Sequence, residues 1–233
     1  MRIEKPILEG RLRRRYKRFL ADVELPDGEL LTVHCPNPGR LQGCLGDAAE
    51  VILRDSEDGN RKLRYTLQTV RVGRHWVNVD TSLPNAVVAE AIEAGAIEEL
   101  AGYDSLRREV AYGRNSRIDI LLEGKSGERC YVEVKCTTLV EHRVAMFPDA
   151  VTARGLKHLV ELSRMVAEGH RAVMFYFISR ADARRFEPAD HIDPAYGDGL
   201  REAVAAGVEM IAYSASVTPQ RLELAAPVKI TIP

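Results

Sequence analysis

Two short apolar runs separated by a polar turn constrain this chain more than any other feature. Arg117-Ile118-Asp119-Ile120-Leu121-Leu122 is followed by Glu123-Gly124-Lys125-Ser126-Gly127-Glu128 and then by Tyr131-Val132-Glu133-Val134-Lys135. β-Branched and aliphatic runs around a glycine-containing polar turn predict an antiparallel hairpin. With the hairpin symmetric about Ser126, Asp119 lies opposite Glu133. Side chains alternate along a strand, so Arg117 and Lys135 share the face of these two carboxylates, while Ile118, Ile120, Leu122, Val132 and Val134 form the other. One face is core; the other gathers two carboxylates and an amine.

On a solvated sheet face Glu133 and Lys135 would be only a weak surface pair. Charges set within Ile-Asp-Ile and Val-Glu-Val-Lys lie close to the core, however, where an unpaired charge is expensive. The chemistry such a group serves is metal-dependent phosphodiester hydrolysis. Two adjacent carboxylates offer an all-oxygen site for Mg²⁺ or Mn²⁺; Mg²⁺ is commonly held by one or two carboxylates, with waters and substrate phosphate completing the shell. The Val134 carbonyl, between two site residues, is a further ligand candidate beside Asp119 and Glu133. The ion would polarise the phosphate and acidify a bound water. Lys135 would orient that water and offset charge developing on the phosphoryl oxygens. Asp119, Glu133 and Lys135 are therefore the candidate catalytic residues.

Global charge gives no argument for nucleic acid, because 33 basic and 34 acidic residues nearly cancel. Local clustering does. Arg11, Arg13, Arg14, Arg15, Lys17 and Arg18, with Tyr16 and Phe19 among them, place six cations in eight residues. Such cations neutralise backbone phosphates and an aromatic among them stacks on a base; the competing reading is a solvated basic strand end, or an arm pairing with acidic segments. Cys35, Cys44, Cys130 and Cys136 form no C-x-x-C pair and complete no zinc pattern. They read as free thiols in a reducing compartment, with Cys35–Cys44 the alternative disulfide. The chain begins Met-Arg-Ile-Glu-Lys-Pro without an apolar leader and has no run of membrane-spanning length, so a soluble cytoplasmic protein with no membrane partner is expected.

Residues 11 to 81 alternate in strand fashion. Phe19, Ala21, Val23 and Leu25 face away from Arg18, Asp22 and Glu24; Pro26-Asp27-Gly28-Glu29 turns the chain; Leu31, Val33 and Cys35 resume, with further strands at Ala49 to Arg54, Leu63 to Val72 and His75 to Thr81. About five such strands suit a small closed barrel, OB-like or SH3-like. Cys35-Pro36-Asn37-Pro38-Gly39-Arg40 cannot continue a strand and must be a shaped loop, in which Asn37 and Arg40 either meet a ligand or only turn the chain.

Near Ser82-Leu83-Pro84-Asn85 the period changes, dividing a barrel domain (1–82) from an α/β domain (83–233). A helix is expected from Ala86 to Leu100, carrying Glu90, and a strand from Ser105 to Tyr112 with Glu109 as another acidic candidate before a turn at Gly113-Arg114-Asn115. Thr137 to Phe147 reads as strand or loop. A helix from Pro148-Asp149 to about Glu168 has Leu156, Leu159, Val160 and Met165 as its apolar stripe, with Arg154, Lys157, His158 and Arg164 mostly outside it. Arg171 to Ile178 is apolar enough for a strand covered on both faces. Asp193-Pro194 and Gly207 bracket a helix, followed by strands at Val208 to Val217 and Arg221 to Ile232, while the polar segment Ala181 to Gly199 reads as a lid or loop.

The D…ExK constellation of Asp119, Glu133 and Lys135 resembles the PD-(D/E)XK nuclease superfamily, although no proline precedes Asp119. Asn115-Ser116-Arg117-Ile118-Asp119, Tyr131-Val132-Glu133-Val134-Lys135, Phe147-Pro148-Asp149-Ala150 and His34-Cys35-Pro36-Asn37-Pro38-Gly39-Arg40 resemble the sugar fermentation stimulation protein A family along nearly the whole chain. The resemblance implies an α+β two-domain protein, an N-terminal OB-like β-barrel followed by a nuclease-like domain with a mixed central sheet. It implies a bacterial or archaeal DNA-binding protein. It also suggests Glu90 as an additional metal ligand, against the reading of an exposed helical glutamate, and places Arg154 and Lys157 near the scissile phosphate. The nucleic-acid-binding set is then Arg11, Arg13, Arg14, Arg15, Tyr16, Lys17, Arg18, Arg40, Arg117, Arg154 and Lys157.

The leading expectation is a DNA-binding protein with a Mg²⁺- or Mn²⁺-dependent nuclease site. Its rival is a non-catalytic, non-specific DNA-binding regulator of sugar (maltose) metabolism, to which the family name points. A third class, a barrel for carbohydrate or a protein partner, would show no salt-dependent affinity for nucleic acid. Single- or double-stranded DNA is the expected partner, and a homodimer is left open.

Overall fold

The structure, a computed structural model, describes residues 1–3, 6–113 and 116–232. Most of the basic run lies in the first strand, β1 (Ile7–Tyr16), where Leu12 is buried in the core beneath. β1 pairs antiparallel with β2 (Leu20–Glu24) and with β4 (Glu50–Asp55); β3 (Leu30–His34) lies outside β2, and β5 (Tyr65–Val72) then β6 (His75–Asn78) lie outside β4. A parallel bridge between His34 and Thr66 joins β3 to β5, closing the Greek-key ring of an OB-like barrel. Leu12, Val23, Val33, Val51, Leu53 and Leu67 fill it.

The second domain begins with α1 (Pro84–Glu93), which buries Val87, Val88 and Ala91. It stops short of Leu100: past Glu93 the chain passes Gly95 at φ 69° and makes a single 3₁₀ turn over Glu98–Leu100. A meander follows, β7 (Ser105–Tyr112), β8 (Ser116–Glu123) and β9 (Arg129–Thr137). Arg114 and Asn115 of the expected turn lie outside the described residues. Then come β10 (Leu139–Glu141), β11 (Val144–Phe147), α2 (Ala153–Ala167), β12 (Arg171–Ile178), β13 (Arg185–Pro188), α3 (Pro194–Ala205), β14 (Glu209–Thr218), β15 (Arg221–Pro227) and β16 (Lys229–Ile230). The main sheet has the order β15-β14-β12-β9-β8-β7, with β12 parallel to both neighbours and the remaining pairs antiparallel. α1 covers one face; α2 and α3 cover the other. β10, β11, β13 and β16 form a smaller sheet.

The hairpin has the expected register, with Ile120 opposite Val132 and Leu122 opposite Cys130. Its faces differ from expectation. Leu121 and Tyr131 are buried beneath the α2–α3 layer, so both faces are core, and Ile118 joins that layer rather than Ile120 and Leu122. The ladders on both sides of β8 lapse at Asp119, which is where the strand re-aims. α2 starts at Ala153, not Pro148, because the Thr152 hydroxyl caps it by accepting the Gly155 N–H at 3.0 Å. Ala181 to Gly199 is not a bare loop, since it supplies β13 and the first turns of α3. Residues 1–3 run along β15, with Ile3 N–H donating to the Gln220 carbonyl at 2.9 Å.

All four cysteines are free. No helix among the described residues is long and apolar enough to cross a membrane.

The two domains are joined by buried polar contacts. The Asn78 N–H donates to the Ser179 carbonyl at 3.0 Å, and Gln68 Nε2 donates to the Pro219 carbonyl at 3.2 Å.

Candidate functional site

At Asp119 the side chain takes over where the backbone pairing stops. Its Oδ2 accepts the Val134 N–H at 2.8 Å, and its Oδ1 accepts Nδ2 of Asn85, from the first turn of α1, at 2.8 Å. Two strands and a helix therefore fix this carboxylate. On the β7 side the facing residue is Glu109, at φ 54°, between the regular pairs Arg108–Ile120 and Val110–Ile118.

Glu133, on the central strand β9, is 2% exposed. Its Oε1 receives the Lys135 ammonium at 2.7 Å and the Nδ1 of His158 from α2. Arg154 Nε donates to His158 Nε2 at 3.3 Å, and on the other side of the ring Nδ1 meets both Glu133 Oε1 and the Lys135 ammonium, the latter at 3.1 Å. Oε1 is thus saturated. Oε2 is buried and has no hydrogen-bond partner among the described residues.

The two carboxyl groups titrate in opposite directions. Burial, reinforced by the nearby Glu133 charge, pushes Asp119 up to about 7. Burial also pushes Glu133 upward, but the Lys135 ammonium and the His158 hydrogen bond outweigh it and hold Glu133 below the ordinary glutamate range. One acid carries a charge the protein supports, and the other gives up its proton reluctantly.

These residues line a cleft of about 500 Å³ whose opposite wall comes from the barrel, including Arg18 and Asn37-Pro38-Gly39. That loop is fixed from three directions. Arg15 Nη2 donates to the carbonyls of Asn37 (2.6 Å) and Gly39 (2.8 Å), the Thr81 hydroxyl donates to the Pro36 carbonyl (2.6 Å), and Asp149 Oδ2 accepts the Leu41 N–H (2.8 Å). A side chain at residue 39 would collide with the Asp149 carboxylate, which explains the glycine.

Of the residues singled out from sequence, Asp119, Glu133, Val134, Lys135, Arg18 and Arg154 meet in this cleft. Arg117 and Lys157, with Arg154 again, line an adjoining recess. Glu90 lies elsewhere: it is exposed on α1, paired with the Met1 amino group at 2.9 Å. Along β1, Arg13 pairs with Glu24 at 2.6 Å and Arg14 with Asp22 at 2.6 Å, Arg14 also stacking over the Tyr16 ring. The Tyr16 hydroxyl donates to Asp22 at 3.1 Å and Arg11 donates to the Ala48 carbonyl at 3.3 Å. Lys17 is in the β1–β2 turn, and Arg40 is exposed beyond the fixed loop.

Sequence reasoning missed Asn85 and His158. The apolar stripe of α2 is Gly155, Leu159, Leu162 and Met165, whose i, i+3, i+4 spacing includes position 158, while Val160 is 46% exposed. A stripe drawn through Gly155 and Leu162 would have carried His158 inward.

The donor set fits a hard divalent cation. It consists of oxygen atoms, one of them a buried carboxylate oxygen with no protein partner. Among the described residues no group of three or more His, Cys, Asp or Glu side chains is arranged around a metal position, so water and substrate oxygens would complete the shell.

Residues 14–79 match the family model described as SfsA N-terminal OB domain, and residues 82–221 match the Sugar fermentation stimulation protein RE domain. The Sugar fermentation stimulation protein homolog of Pelobacter propionicus is 54% identical over 219 residues, covering 94% of this chain and 95% of that protein. The homolog of Geobacter sulfurreducens is 50% identical over 224 residues, covering 96% of each. The solved structure of Pyrococcus furiosus SfsA in complex with Ca²⁺ superposes with a TM-score of 0.89 at 27% identity, covering 100% of both chains. An OB-like barrel precedes an α/β domain with a mixed sheet. By domain order, identity and fold, the chain belongs to the sugar fermentation stimulation protein family.

Proposed function

We propose that this protein is a DNA-binding phosphodiesterase that uses Mg²⁺ or Mn²⁺, with Asp119, Glu133 and the Val134 carbonyl holding the ion and Lys135 assisting at the phosphate. The observation that carries the reading is Glu133 Oε2, a buried carboxylate oxygen without a partner, 2% exposed as a residue, beside a second carboxylate in an open cleft. Leaving such an atom unpaired costs about 1–3 kcal/mol or more, a penalty that a cation removes. The Pyrococcus furiosus relative is described in complex with Ca²⁺, an ion of the same oxygen-seeking class. Glu90 has no part in this set.

When bound, such an ion polarises a phosphoryl oxygen and acidifies a water. The chain's own residues do the rest. Asn85 and the Val134 N–H orient Asp119. Lys135 and His158 hold Glu133 by one oxygen, and the other has no hydrogen-bond partner among the described residues. The Lys135 ammonium, 12% exposed, offsets charge on the phosphoryl group. Arg18 and Arg154 bring positive charge to the two walls, and Arg117 and Lys157 extend it in the adjoining recess.

The test is cleavage of supercoiled and circular single-stranded DNA with Mg²⁺, Mn²⁺ or EDTA, comparing wild type with Asp119→Ala and Glu133→Ala. Nicking should need the metal and fall at least about 100-fold in each variant. DNA binding without cutting of any substrate would end the enzyme reading in favour of a regulator.

A further inference from the structure

The cleft between the domains is not the only depression at the carboxylates. A second recess of about 520 Å³ opens beyond α2, lined by Glu109 and Ala111 of β7, Ser116 and Arg117 of β8, and Arg154, Lys157 and His158 of α2. Arg154 and His158 line both. Along β8, Arg117 precedes Asp119 by two residues, about 7 Å at the usual rise per residue. The two recesses therefore adjoin at Arg154 and His158, with Asp119 and Glu133 on the cleft side.

The second recess is built for anions. Among the described residues that line it are Arg117, Arg154 and Lys157, all exposed, and Glu109, in a chain whose net charge is −1. Arg117 is also held in place, its Nη1 donating to the Glu109 carbonyl at 3.3 Å. That carbonyl belongs to the left-handed residue at φ 54°, a conformation costing a non-glycine residue roughly 1–3 kcal/mol and commonest at functional sites. The register on either side of it is unshifted, so the distortion serves no pairing.

We propose that a single strand of nucleic acid lies across the site as an internal segment, with the phosphate on one side of the scissile bond in the domain cleft and the phosphate on the other in the Arg117–Arg154–Lys157 recess. This rests on the nucleic-acid reading of the same site. Each recess has about the volume that buries one small molecule, the scale of a nucleotide or two rather than of a duplex. A strand held on both sides is cut in its interior. Water adds to phosphorus, the bond from phosphorus to one sugar oxygen breaks, and the displaced oxygen takes a proton, leaving one phosphate end and one hydroxyl end.

The experiment compares a labelled, covalently closed circular single-stranded oligonucleotide with the linear oligonucleotide of the same sequence. Binding is measured across a salt series in Ca²⁺ for wild type, for the double variant Arg117→Ala with Lys157→Ala, and for Lys157→Glu. The circle should bind as tightly as the linear strand. The double variant should bind at least about tenfold more weakly, with a salt slope shallower by about 1.4, two phosphate contacts at about 0.7 each, and Lys157→Glu should weaken both substrates. An unchanged melting temperature would place these losses at the surface. A circle bound tenfold more weakly than the linear strand, or a double variant with wild-type affinity and slope, overturns the proposal. A circle that is bound with the expected slope but cut with no metal leaves the strand path standing and removes only the phosphodiesterase reading.

Discussion

The chain carries two groups of cations, and they are used differently. One is contiguous, Arg11 to Lys17 along β1 and its turn; the other is dispersed in sequence, with Arg18 on the barrel, Arg117 on β8, and Arg154 and Lys157 on α2, and lines the cleft and the recess beside it. The contiguous group faces acids from the next strand of its own hairpin. Arg13 and Arg14 are paired with Glu24 and Asp22, and Arg15 is committed to loop carbonyls. In the dispersed group Arg154 donates to His158 and Arg117 to the Glu109 carbonyl, and its members line the depressions at the carboxylates. Density along a sequence measures how many charges a segment has, not how many its neighbours have already neutralised.

Lys135→Ala tests the assembled group most sharply. It removes the ammonium beside Glu133, and turnover should fall by about 100-fold or more, read as kcat in a single-turnover assay. Arg13→Ala, in the contiguous group, should leave turnover within a few-fold of wild type; a loss comparable to that of Lys135→Ala would break the comparison.

The next effect concerns the wall between the groups. Asp149→Ala leaves the Leu41 N–H without its acceptor and releases the loop that faces the carboxylates. A loss of about 1–3 kcal/mol in denaturant unfolding is expected, together with weaker DNA binding. Asp149→Asn, which keeps an acceptor, should recover part of both.

Smaller still is the contribution of the contiguous group to stability. Asp22 is 4% exposed; burial pushes its carboxyl upward, but hydrogen bonds from Thr32, Arg14 and Tyr16 prevail and hold it below the ordinary range. A lowered pKa stabilises the fold above the unfolded value, about 3.9, and that contribution is lost as pH falls through the folded value. Thr32→Val should therefore destabilise at pH 7 by about 1 kcal/mol and do progressively less below pH 4 or so, measured by urea unfolding.

An effect of another kind is expected in the pH dependence of metal binding. With Asp119 raised to about 7, a proton competes with the cation below neutrality, so apparent affinity for Mn²⁺ should fall by up to tenfold per pH unit between pH 7 and 5. Calorimetric titration at several pH values would show it, and a flat profile would mean that Asp119 does not ligate the ion.

What could be read in the sequence followed from local periodicity. The hairpin register, the apolar strand Arg171–Ile178 and the alternation of the barrel strands are properties of segments a few residues long. His158 follows from periodicity only when the α2 stripe is drawn through Gly155 and Leu162, and its role needs the carboxylate it meets on another element. Asn85 could not be read that way, because its partner is on another element 34 residues away. Glu90 shows the converse: its helix was anticipated, but its side chain faces the chain's own amino group instead of the sheet. The Asn37–Arg40 loop was legible as a shaped loop, while the reason for its shape lies in Arg15 on one side and Asp149 on the other.

The contact of Gly39 with Asp149 gives the cleft a gauge. A Cβ at residue 39 would overlap the Asp149 carboxylate where it now stands, so that carboxylate keeps its place only beside a glycine. A side chain there would displace Asp149 from the Leu41 N–H and undo one of the bonds that tie the barrel loop to the second domain. A contact between the two walls of the cleft thus depends on a position that takes no part in the chemistry.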